Sequence, residues 1–596
     1  MNPRTLFFAA VSALALAVPA IAHAADESAP VEREKRGDKD GVPEQLDRSE
    51  RESYRAVFAA IREARWADAQ LRLDAMRPGL LHATARAELY LAKGSPKVEL
   101  PQLLAILNDA PELPQAEQLA RLARTRGAIE LPSLPVAQRM VWHNAAPARV
   151  RYKSTPASDA AAMQVVLMMQ PLIKADDATS AETLIETRGP ELSPEVLTEW
   201  RQRVAWMYYT TGRDNDARRV AAKAQAGSGE FAPLADWVQG LAAWRQKDCA
   251  TAQAAFTSVA QRAADIEKRT AGLYWASRAD MACGRPDLVS ARLRNAAQHS
   301  ETFYGLLARQ ALGMKETPAR PEKFVSTDWK AIERRPNVRV AAALVEIGED
   351  NLASDIIRHQ AKIGDAREHA ALTRLAARLA LPATQLWLTH NCPPGASPLE
   401  EARYPAPDWT PDGGWRIDKS LVFAHTLQES RFNRTVESPA GAYGLMQIKS
   451  GAAIDVGRRM GVTIGRGDLS RPSTNMEVGQ SYIEQLRDQS FTGGLLPKVI
   501  AAYNAGPTPV TNWNYQIRDN GDPLLYIESI PYWETRGYVM TVLRNYWMYE
   551  KNDGRDSASR AAITQGLWPK VPGRNGGGAV RMQGATASLT GTTGAN

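Results

Sequence analysis

A short turn recurs at an almost constant spacing, and this spacing restricts the fold more than any other feature of the chain. Equivalent positions are 35 and then 36 residues apart in its three copies, 212–217, 247–252 and 284–288. The stretches between turns carry apolar residues at the spacing of one helix face, as do Tyr54, Val57, Phe58 and Ile61 nearer the N-terminus. A helical hairpin of this length buries its apolar face only against the next hairpin. The pattern therefore predicts an α-superhelical solenoid over residues 50–390.

Shifts in composition divide the rest of the chain. Residues 1–24 join a basic start to an apolar, Ala-rich stretch, which is typical of a removed signal peptide; a retained N-terminal anchor is the alternative. Residues 25–49 are charged and almost free of large apolar side chains, so we predict a flexible linker. Residues 391–414 form a Pro-rich connection that ends the helical pattern. We expect a compact domain over 415–550 and a disordered tail over 551–596, which becomes rich in Gly, Thr and Ala.

Composition narrows the possible partners. Lys and Arg exceed Asp and Glu by 7, a mild basicity that suits an anionic polymer without singling one out. An exported chain does not meet nucleic acid, and after the signal no stretch is apolar enough for stable membrane insertion. His and Cys show no metal-binding spacing, so we predict no metal and no cofactor. The sequence thus predicts a soluble periplasmic monomer.

The three cysteines suggest one pair. Cys249 and Cys283 are 34 residues apart, near successive turns of one repeat period, and stacked hairpins bring such positions together. Because an exported compartment is oxidising, we predict a disulfide between them, with Cys392 left free.

One carboxyl group stands out in the region after the Pro-rich connection. A run without Gly or Pro, apolar for the most part, leads from Leu421 to Glu429 and predicts a helix that ends at this glutamate. A turn with Gly441 and Gly444 follows. Desolvation at such a position is expected to raise the pKa of a carboxyl group, which is what a general acid needs.

Further blocks accompany Glu429 in a fixed order. They are Ser438–Gln447 (SPAGAYGLMQ), Ala501–Pro507 (AAYNAGP), Glu528–Pro531 (ESIP) and Glu534–Val539 (ETRGYV). Together the blocks resemble the catalytic domain of the soluble lytic murein transglycosylases over about Leu421 to Tyr546. The resemblance implies a mainly α fold in which an α-superhelical solenoid precedes a lysozyme-like catalytic domain with a small α+β part.

The same resemblance implies a reaction and roles for site residues. Glu429 would be the single acid/base catalyst that cleaves the β-1,4 bond between N-acetylmuramic acid and N-acetylglucosamine in peptidoglycan, with 1,6-anhydro ends as product. Tyr503 would orient the Glu429 carboxyl. The remaining residues would bind substrate or hold the site in shape: Ser438, Gly441, Gly444, Met446, Gln447, Asn504 and Glu534. An ion pair between Glu534 and Arg536 is expected beneath the site.

Two other functions stay open at this stage. A hydrolase of goose-lysozyme type would need a second carboxylate to activate water, and Glu437 and Asp455 are nearby in the sequence. A non-catalytic scaffold would use the same domain only to bind peptidoglycan glycan strands. The intact motif blocks favour the enzyme.

Overall fold

The computed structural model describes residues 41–143, 146–154, 160–317, 322–574 and 576–582, and they are mainly α-helical. The predicted signal peptide, residues 25–40 of the predicted linker and residues 583–596 of the predicted tail lie outside the described residues. Among the described residues, no helix is both long and apolar enough to cross a membrane.

The described chain up to residue 390 contains nineteen α-helices. They are α1 (Arg48–Arg62), α2 (Trp66–Ala75), α3 (His82–Leu91), α4 (Leu100–Asp109), α5 (Ala116–Thr125), α6 (Ala160–Lys174), α7 (Ala178–Arg188), α8 (Pro194–Thr210), α9 (Asp214–Gln225), α10 (Ala232–Arg245), α11 (Cys249–Arg262), α12 (Ile266–Ala282), α13 (Pro286–Ala297), α14 (Phe303–Ala311), α15 (Ser326–Ile332), α16 (Pro336–Ile347), α17 (Asp350–Ile363), α18 (His369–Arg378) and α19 (Pro382–His390).

Shorter helices and two small sheets complete the fold. The helices are α20 (Lys419–Ser430), α21 (Ser450–Met460), α22 (Arg466–Leu469), α23 (Pro472–Arg487), α24 (Leu496–Ala505), α25 (Pro507–Gln516), α26 (Pro523–Ser529), α27 (Trp533–Asn552) and α28 (Ala558–Thr564). Strands β1 (Val141–Trp142) and β2 (Asn391–Cys392) pair antiparallel, as do β3 (Trp568–Pro569) and β4 (Ala579–Val580).

Contacts group the described residues into two compact units that do not follow the order of the sequence. The first unit takes its described residues from 1–145, 319–414 and 429–479, and the second takes them from 146–318, 415–428 and 480–596. The division cuts α20 after Gln428 and α23 after Gly479. The domain boundaries drawn from the sequence stay a prediction.

In the second unit, helical hairpins stack in sequence order. Each helix from α8 to α13 packs against the next one. The three turns of the sequence repeat join α8 to α9, α10 to α11 and α12 to α13, and each contains a residue with positive φ: Gly212 (79°), Lys247 (64°) and Gly284 (69°). The left-handed backbone at these positions ends one helix and reverses the chain. The superhelical pattern of the sequence is thus confirmed.

A covalent bond joins two of these hairpins. Cys249 is the first residue of α11 and Cys283 follows the last residue of α12, and the two form a disulfide with Cα atoms 5.6 Å apart. Cys392 is a free, buried thiol in β2. Burial raises the pKa of Cys392 to about 11.

In the first unit, the folded chain starts earlier than the sequence predicts. The Asp47 side chain caps α1 by accepting the Glu50 N–H at 2.8 Å, and Leu46 is only 2% exposed. The backbone N–H groups of Gln45 and Leu46 donate to the carboxylate of Glu346 at 2.6 and 3.2 Å. The prediction of a flexible linker is therefore wrong for residues 45–49, because a cap and one buried leucine order a charged segment.

In the second unit, the chain is also folded beyond residue 550, where a disordered tail was predicted. Residues 558–564 form α28, and Trp568 in β3 is 1% exposed with its indole N–H donating to the Gly521 carbonyl at 2.8 Å. The prediction is wrong for the described residues of 551–582. The prediction relied on the Gly-rich composition after residue 573. It overlooked the short apolar segment around Trp568, which packs on residues distant in sequence.

Candidate active site

Glu429 is the last residue but one of helix α20, and its side chain is half-buried. The preceding residues from Leu421 to Thr426 are buried without exception, so the helix is embedded up to its last turn. Arg431 and Phe432 then take positive φ angles of 51° and 65°. These two successive left-handed residues end the helix at Ser430, one residue after Glu429.

The turn after the helix is a small hydrogen-bonded hairpin. Ser438 and Ala442 close it, since the Ser438 N–H donates to the Ala442 carbonyl at 2.9 Å and the Ala442 N–H donates to the Ser438 hydroxyl at 3.0 Å. Tyr443 pairs with Glu437 on one side and with Ile448 on the other. Gly441 and Gly444 have φ angles of 74° and 77°, which side chains with a Cβ resist.

A residue that sequence reasoning missed holds the apolar end of this turn. Asn475 is fully buried on α23; its Oδ1 accepts the Met446 N–H at 2.9 Å and its Nδ2 donates to the Leu469 carbonyl at 2.8 Å. Met446 is also fully buried. A lone asparagine in a helical sequence gives no signal of this role, because the role depends on a loop about thirty residues away.

The Gln447 side chain donates hydrogen bonds within the turn. Its Nε2 donates to the carbonyls of Val436 and Gly444, both at 3.0 Å, and its own φ is 48°. The amide N–H groups therefore stiffen the turn.

Three predicted site residues belong to the second unit. Tyr503 lies on α24, and its ring centre is 4.9 Å from that of His425 and 5.4 Å from that of Tyr482. Asn504 accepts the Thr535 hydroxyl proton at 2.6 Å, which ties the end of α24 to the start of α27. Glu534 is exposed in the first turn of α27.

The expected ion pair between Glu534 and Arg536 does not form in the described structure. Arg536 is buried, and its guanidinium carbon lies 4.2 Å from the centre of the Trp206 ring. Burial lowers the pKa of Arg536 to about 10, although the nearby Glu528 charge opposes the shift. Glu534 and Arg536 are two residues apart on α27 and therefore lie on nearly opposite faces of the helix, one towards solvent and one towards the core.

His425 is a second residue that the sequence did not single out. It precedes Glu429 by one helical turn and is 1% exposed. Its Nδ1 lies 2.9 Å from the Leu421 carbonyl, while its buried Nε2 has no hydrogen-bond partner within the described ranges. Burial lowers the pKa of His425 to about 4. The helix therefore carries a neutral imidazole at this position near pH 7.

No metal centre is found in this region or elsewhere in the described ranges, where no three His, Cys, Asp or Glu side chains are grouped as ligands. In the first unit the candidate site residues are thus a half-buried carboxyl group and a rigid glycine turn, and in the second unit they are aromatic and amide side chains.

Comparison with known protein families finds a match for the part of the chain that contains Glu429. Residues 412–524 match the family model described as "Transglycosylase SLT domain". This part of the chain is similar to an SLT domain. The matched residues include α20, the glycine turn, α23 and α24, and therefore Glu429, Met446, Gln447 and Tyr503.

A curated relative and two solved structures extend the comparison beyond the SLT domain. The soluble lytic murein transglycosylase of Salmonella typhimurium is 31% identical over 282 residues, covering 45% of this chain and 42% of the relative. The chain therefore spans less than half the length of this relative.

The 70-kDa soluble lytic transglycosylase Slt70 of Escherichia coli has a similar fold, with a TM-score of 0.53 at 18% identity over 86% of this chain and 98% of that one. A complex of the 70-kDa enzyme with bulgecin A gives a TM-score of 0.59 at 19% identity with the same coverage. The predicted fold class, a helical superhelix with a lysozyme-like domain, is confirmed.

Proposed function

We propose that the chain is a lytic transglycosylase, which cleaves the β-1,4 bond between N-acetylmuramic acid and N-acetylglucosamine in peptidoglycan without water. The observation that carries the proposal is Glu429, a half-buried carboxyl group at the end of an embedded helix, inside an SLT domain. The curated relative is named a soluble lytic murein transglycosylase, which supports the same reaction and substrate here.

In the proposed reaction one carboxyl group acts twice. Protonated Glu429 gives its proton to the glycosidic oxygen as the bond to C1 breaks. The resulting carboxylate takes the proton from the C6 hydroxyl of muramic acid, and O6 bonds to C1 to close the 1,6-anhydro ring. The substrate's acetamido group stabilises the positive charge at C1, as in other glycosidases that lack a second catalytic carboxylate. Glu429 ends the cycle protonated.

The other predicted site residues have supporting roles in this proposal. The Tyr503 hydroxyl orients the Glu429 carboxyl, supported by the packing of Tyr503 on His425, one turn before Glu429 on the same helix. The rigid turn receives the sugar: the exposed Gly441 allows close approach, and Ser438 and Gln447 contact it. The buried Gly444 and Met446 hold the turn in shape. Asn504 fixes the end of α24 through Thr535, and the exposed Glu534 reaches the substrate.

The geometry disfavours the hydrolase that the sequence left open. Both candidates for a second carboxylate are exposed and engaged by arginines, Glu437 by Arg466 and Asp455 by Arg458 at 3.5 Å. The anhydro-forming reaction needs neither group.

The proposed substrate also indicates a cellular location and a binding partner. We propose a periplasmic location, with peptidoglycan glycan strands as partner and a monomer as the active species. Nothing in this mechanism calls for a metal or a cofactor.

The test is the mass of the products released from purified peptidoglycan by the full chain. Muropeptides ending in 1,6-anhydro-N-acetylmuramic acid, lighter by one water than lysozyme products, are expected. Reducing-end sugars as the main product would identify a hydrolase. Binding to peptidoglycan without any product would identify a scaffold.

A further inference from the structure

The start of α20 is held by the part of the chain that follows α27, here called the C-terminal segment (the described residues of 553–582). The Asp418 N–H donates to the Pro572 carbonyl at 3.3 Å, and Ile417 pairs antiparallel with Gly573. Both partners lie outside the residues that match the SLT domain. The helix that carries Glu429 therefore begins on a segment that the domain match does not include.

One arginine of the C-terminal segment contacts two side chains at the start of α20. Arg555 donates to both oxygens of the Asp418 carboxylate, from Nη1 to Oδ2 at 2.9 Å and from Nη2 to Oδ1 at 3.2 Å. Its Nη2 also donates to the Ser420 hydroxyl at 2.6 Å. Asp418 and Ser420 are 5% and 3% exposed. A bidentate pair between arginine and carboxylate fixes direction as well as distance, so Arg555 holds the start of the helix in one orientation.

The same carboxylate caps α20. Asp418 Oδ1 accepts the Ser420 N–H at 2.8 Å, and the Asp418 carbonyl accepts the N–H groups of Leu421 and Val422 at 3.0 and 3.2 Å. A capping side chain satisfies an amide group that the first turn leaves without an intrahelical partner. Asp418 thus joins the first turn of α20 to Arg555.

The other groups near this pair hold it less directly. The Tyr546 hydroxyl is 3.4 Å from Asp418 Oδ2, which is long for a hydrogen bond. Asp553 lies 3.7 Å from Arg555 but is exposed, so solvent screens that pair. Within the described ranges, Arg555 is the only cation in an ion pair with Asp418.

Glu429 lies at the other end of this one helix. α20 runs without a break for 12 residues, from Lys419 to Ser430, which is a length of about 18 Å. A helix of this length bends little, so a change of direction at its first turn also moves its last turn. A misplacement of about 1 Å at a reacting group can cost about a hundredfold in rate.

We infer that Arg555 is a positioning residue for Glu429. Through Asp418 and Ser420 it fixes the direction of α20, and thereby the place of the carboxyl group at the end of this helix. The role in turnover rests on the proposed function. The inference gives the C-terminal segment, which was predicted to be disordered, a part in the reaction.

The experiment compares full-length variants on purified peptidoglycan, with kcat and KM taken from the release of 1,6-anhydro product at a temperature where each variant is folded. Arg555→Met should lower kcat about ten- to hundredfold and leave KM within about twofold, because the turn that receives the sugar is unchanged. Arg555→Lys, which keeps the charge and one hydrogen bond, should regain part of the lost kcat. Arg581→Met removes an exposed arginine from the same segment and should change neither constant.

A double-variant cycle tests whether Arg555 acts through Asp418. Asp418→Asn keeps a good helix cap and removes the charge, so it should lower kcat as much as Arg555→Met does. The double variant should be no slower than either single variant, because both changes break one contact. Fully additive losses in kcat would overturn the inference.

A merely structural role gives a different result. Arg555→Met would then lower the melting temperature and leave kcat per folded molecule unchanged, which would also overturn the inference. If Arg555→Met does not fold, Ser420→Ala takes its place, since it removes one of the three contacts of Arg555. A loss of about threefold in kcat is expected for Ser420→Ala, and an unchanged kcat would count against the inference.

Amide hydrogen exchange provides a measurement that does not depend on the reaction. In Arg555→Met, the amides of residues 426–430 should exchange faster than in the unaltered chain. Faster exchange confined to residues 418–422 would contradict the inference. An unaltered chain that releases no 1,6-anhydro product would refute the proposed function, and the exchange rates would still decide whether Arg555 acts on the last turn of α20.

Discussion

Glu429 and His425 lie one helical turn apart on α20 and differ in burial and in protonation. In the proposed reaction Glu429 exchanges a proton, and it lies at the half-buried end of the helix. His425 is buried and its Nε2 has no hydrogen-bond partner among the described residues, so it must stay neutral. The helix therefore holds the proposed acid where it is partly accessible and the neutral imidazole in the core.

The first prediction concerns Glu429. Glu429→Gln keeps the shape and removes the exchangeable proton, so product release should fall by at least about two to four orders of magnitude, the usual contribution of general acid–base catalysis. Mass spectrometry of released muropeptides measures it. The matched control is Glu437→Gln, an exposed glutamate paired with Arg466, which should keep full activity. Full activity of the Glu429 variant would remove this residue from the mechanism.

The second prediction concerns pH. The pKa of His425 is about 4 in the folded chain and about 6.5 when unfolded, so between these values only the unfolded chain binds the proton. The free energy of unfolding should therefore fall by up to about 3 kcal/mol as the pH drops from 6.5 to 4. His425→Phe should lose this part of the pH dependence. Urea midpoints at pH 7, 5.5 and 4 test it, and parallel pH profiles for the two chains would contradict it.

Among the elements, the glycine turn after α20 shows why two glycines of similar φ are not equivalent. A Cβ on Gly444 would lie 2.9 Å from the Leu469 carbonyl oxygen and would overlap the Asn475 amide, whereas a Cβ on Gly441 would meet nothing within 4 Å. Only Gly444 is therefore enclosed by the helix and loop that support the turn.

A third prediction uses this pair. Gly441→Ala should cost about 1 kcal/mol of unfolding free energy, from the left-handed backbone alone. Gly444→Ala should cost clearly more and reduce activity, because it must displace Asn475, which holds the Met446 N–H. Thermal unfolding and product release of both variants test it. Equal effects would show that backbone strain, not the enclosure of Gly444, limits the turn.

Across the whole molecule, residues distant in sequence meet around one buried charge in the second unit. Glu528, in the ESIP block, is 0% exposed. Arg149 donates to Glu528 Oε2 at 2.7 Å, and the Tyr304 hydroxyl donates to Oε1 at 2.6 Å. Burial alone would raise the pKa of Glu528, but the charge and hydrogen bonds of Arg149 lower it below its usual value. Glu528 thus serves as an internal anchor for α26.

The fourth prediction tests this anchor. Arg149→Met leaves the Glu528 carboxylate buried without its partner and should cost about 3–5 kcal/mol of unfolding free energy. Adding Glu528→Gln should restore part of the loss, because the buried charge is then gone. Arg151→Met is the control, since Arg151 is exposed in the same segment. Urea unfolding measures all three, and equal midpoints for the two single variants would refute the anchor.

The sequence alone determined the features that depend on neighbouring residues. The hairpin period, the turns at Gly212 and Gly284, the helix that ends at Glu429 and the glycine turn after it could all be predicted. Capping, positive φ and apolar spacing act within a few residues, so they can be read from a short stretch of sequence. The repeat period also relates positions about one hairpin apart, and for this reason the Cys249–Cys283 pair could be predicted.

Tertiary structure alone decided which distant groups meet. The contacts of Asn475 under the turn, of Arg149 with Glu528 and of the buried Trp568 join residues separated by tens to hundreds of positions. A buried polar side chain is stable only where packing supplies its partner, and no local pattern specifies that partner. Local chemistry therefore fixed the segment from Leu421 to Gln447, while packing determined the residues that hold it in place.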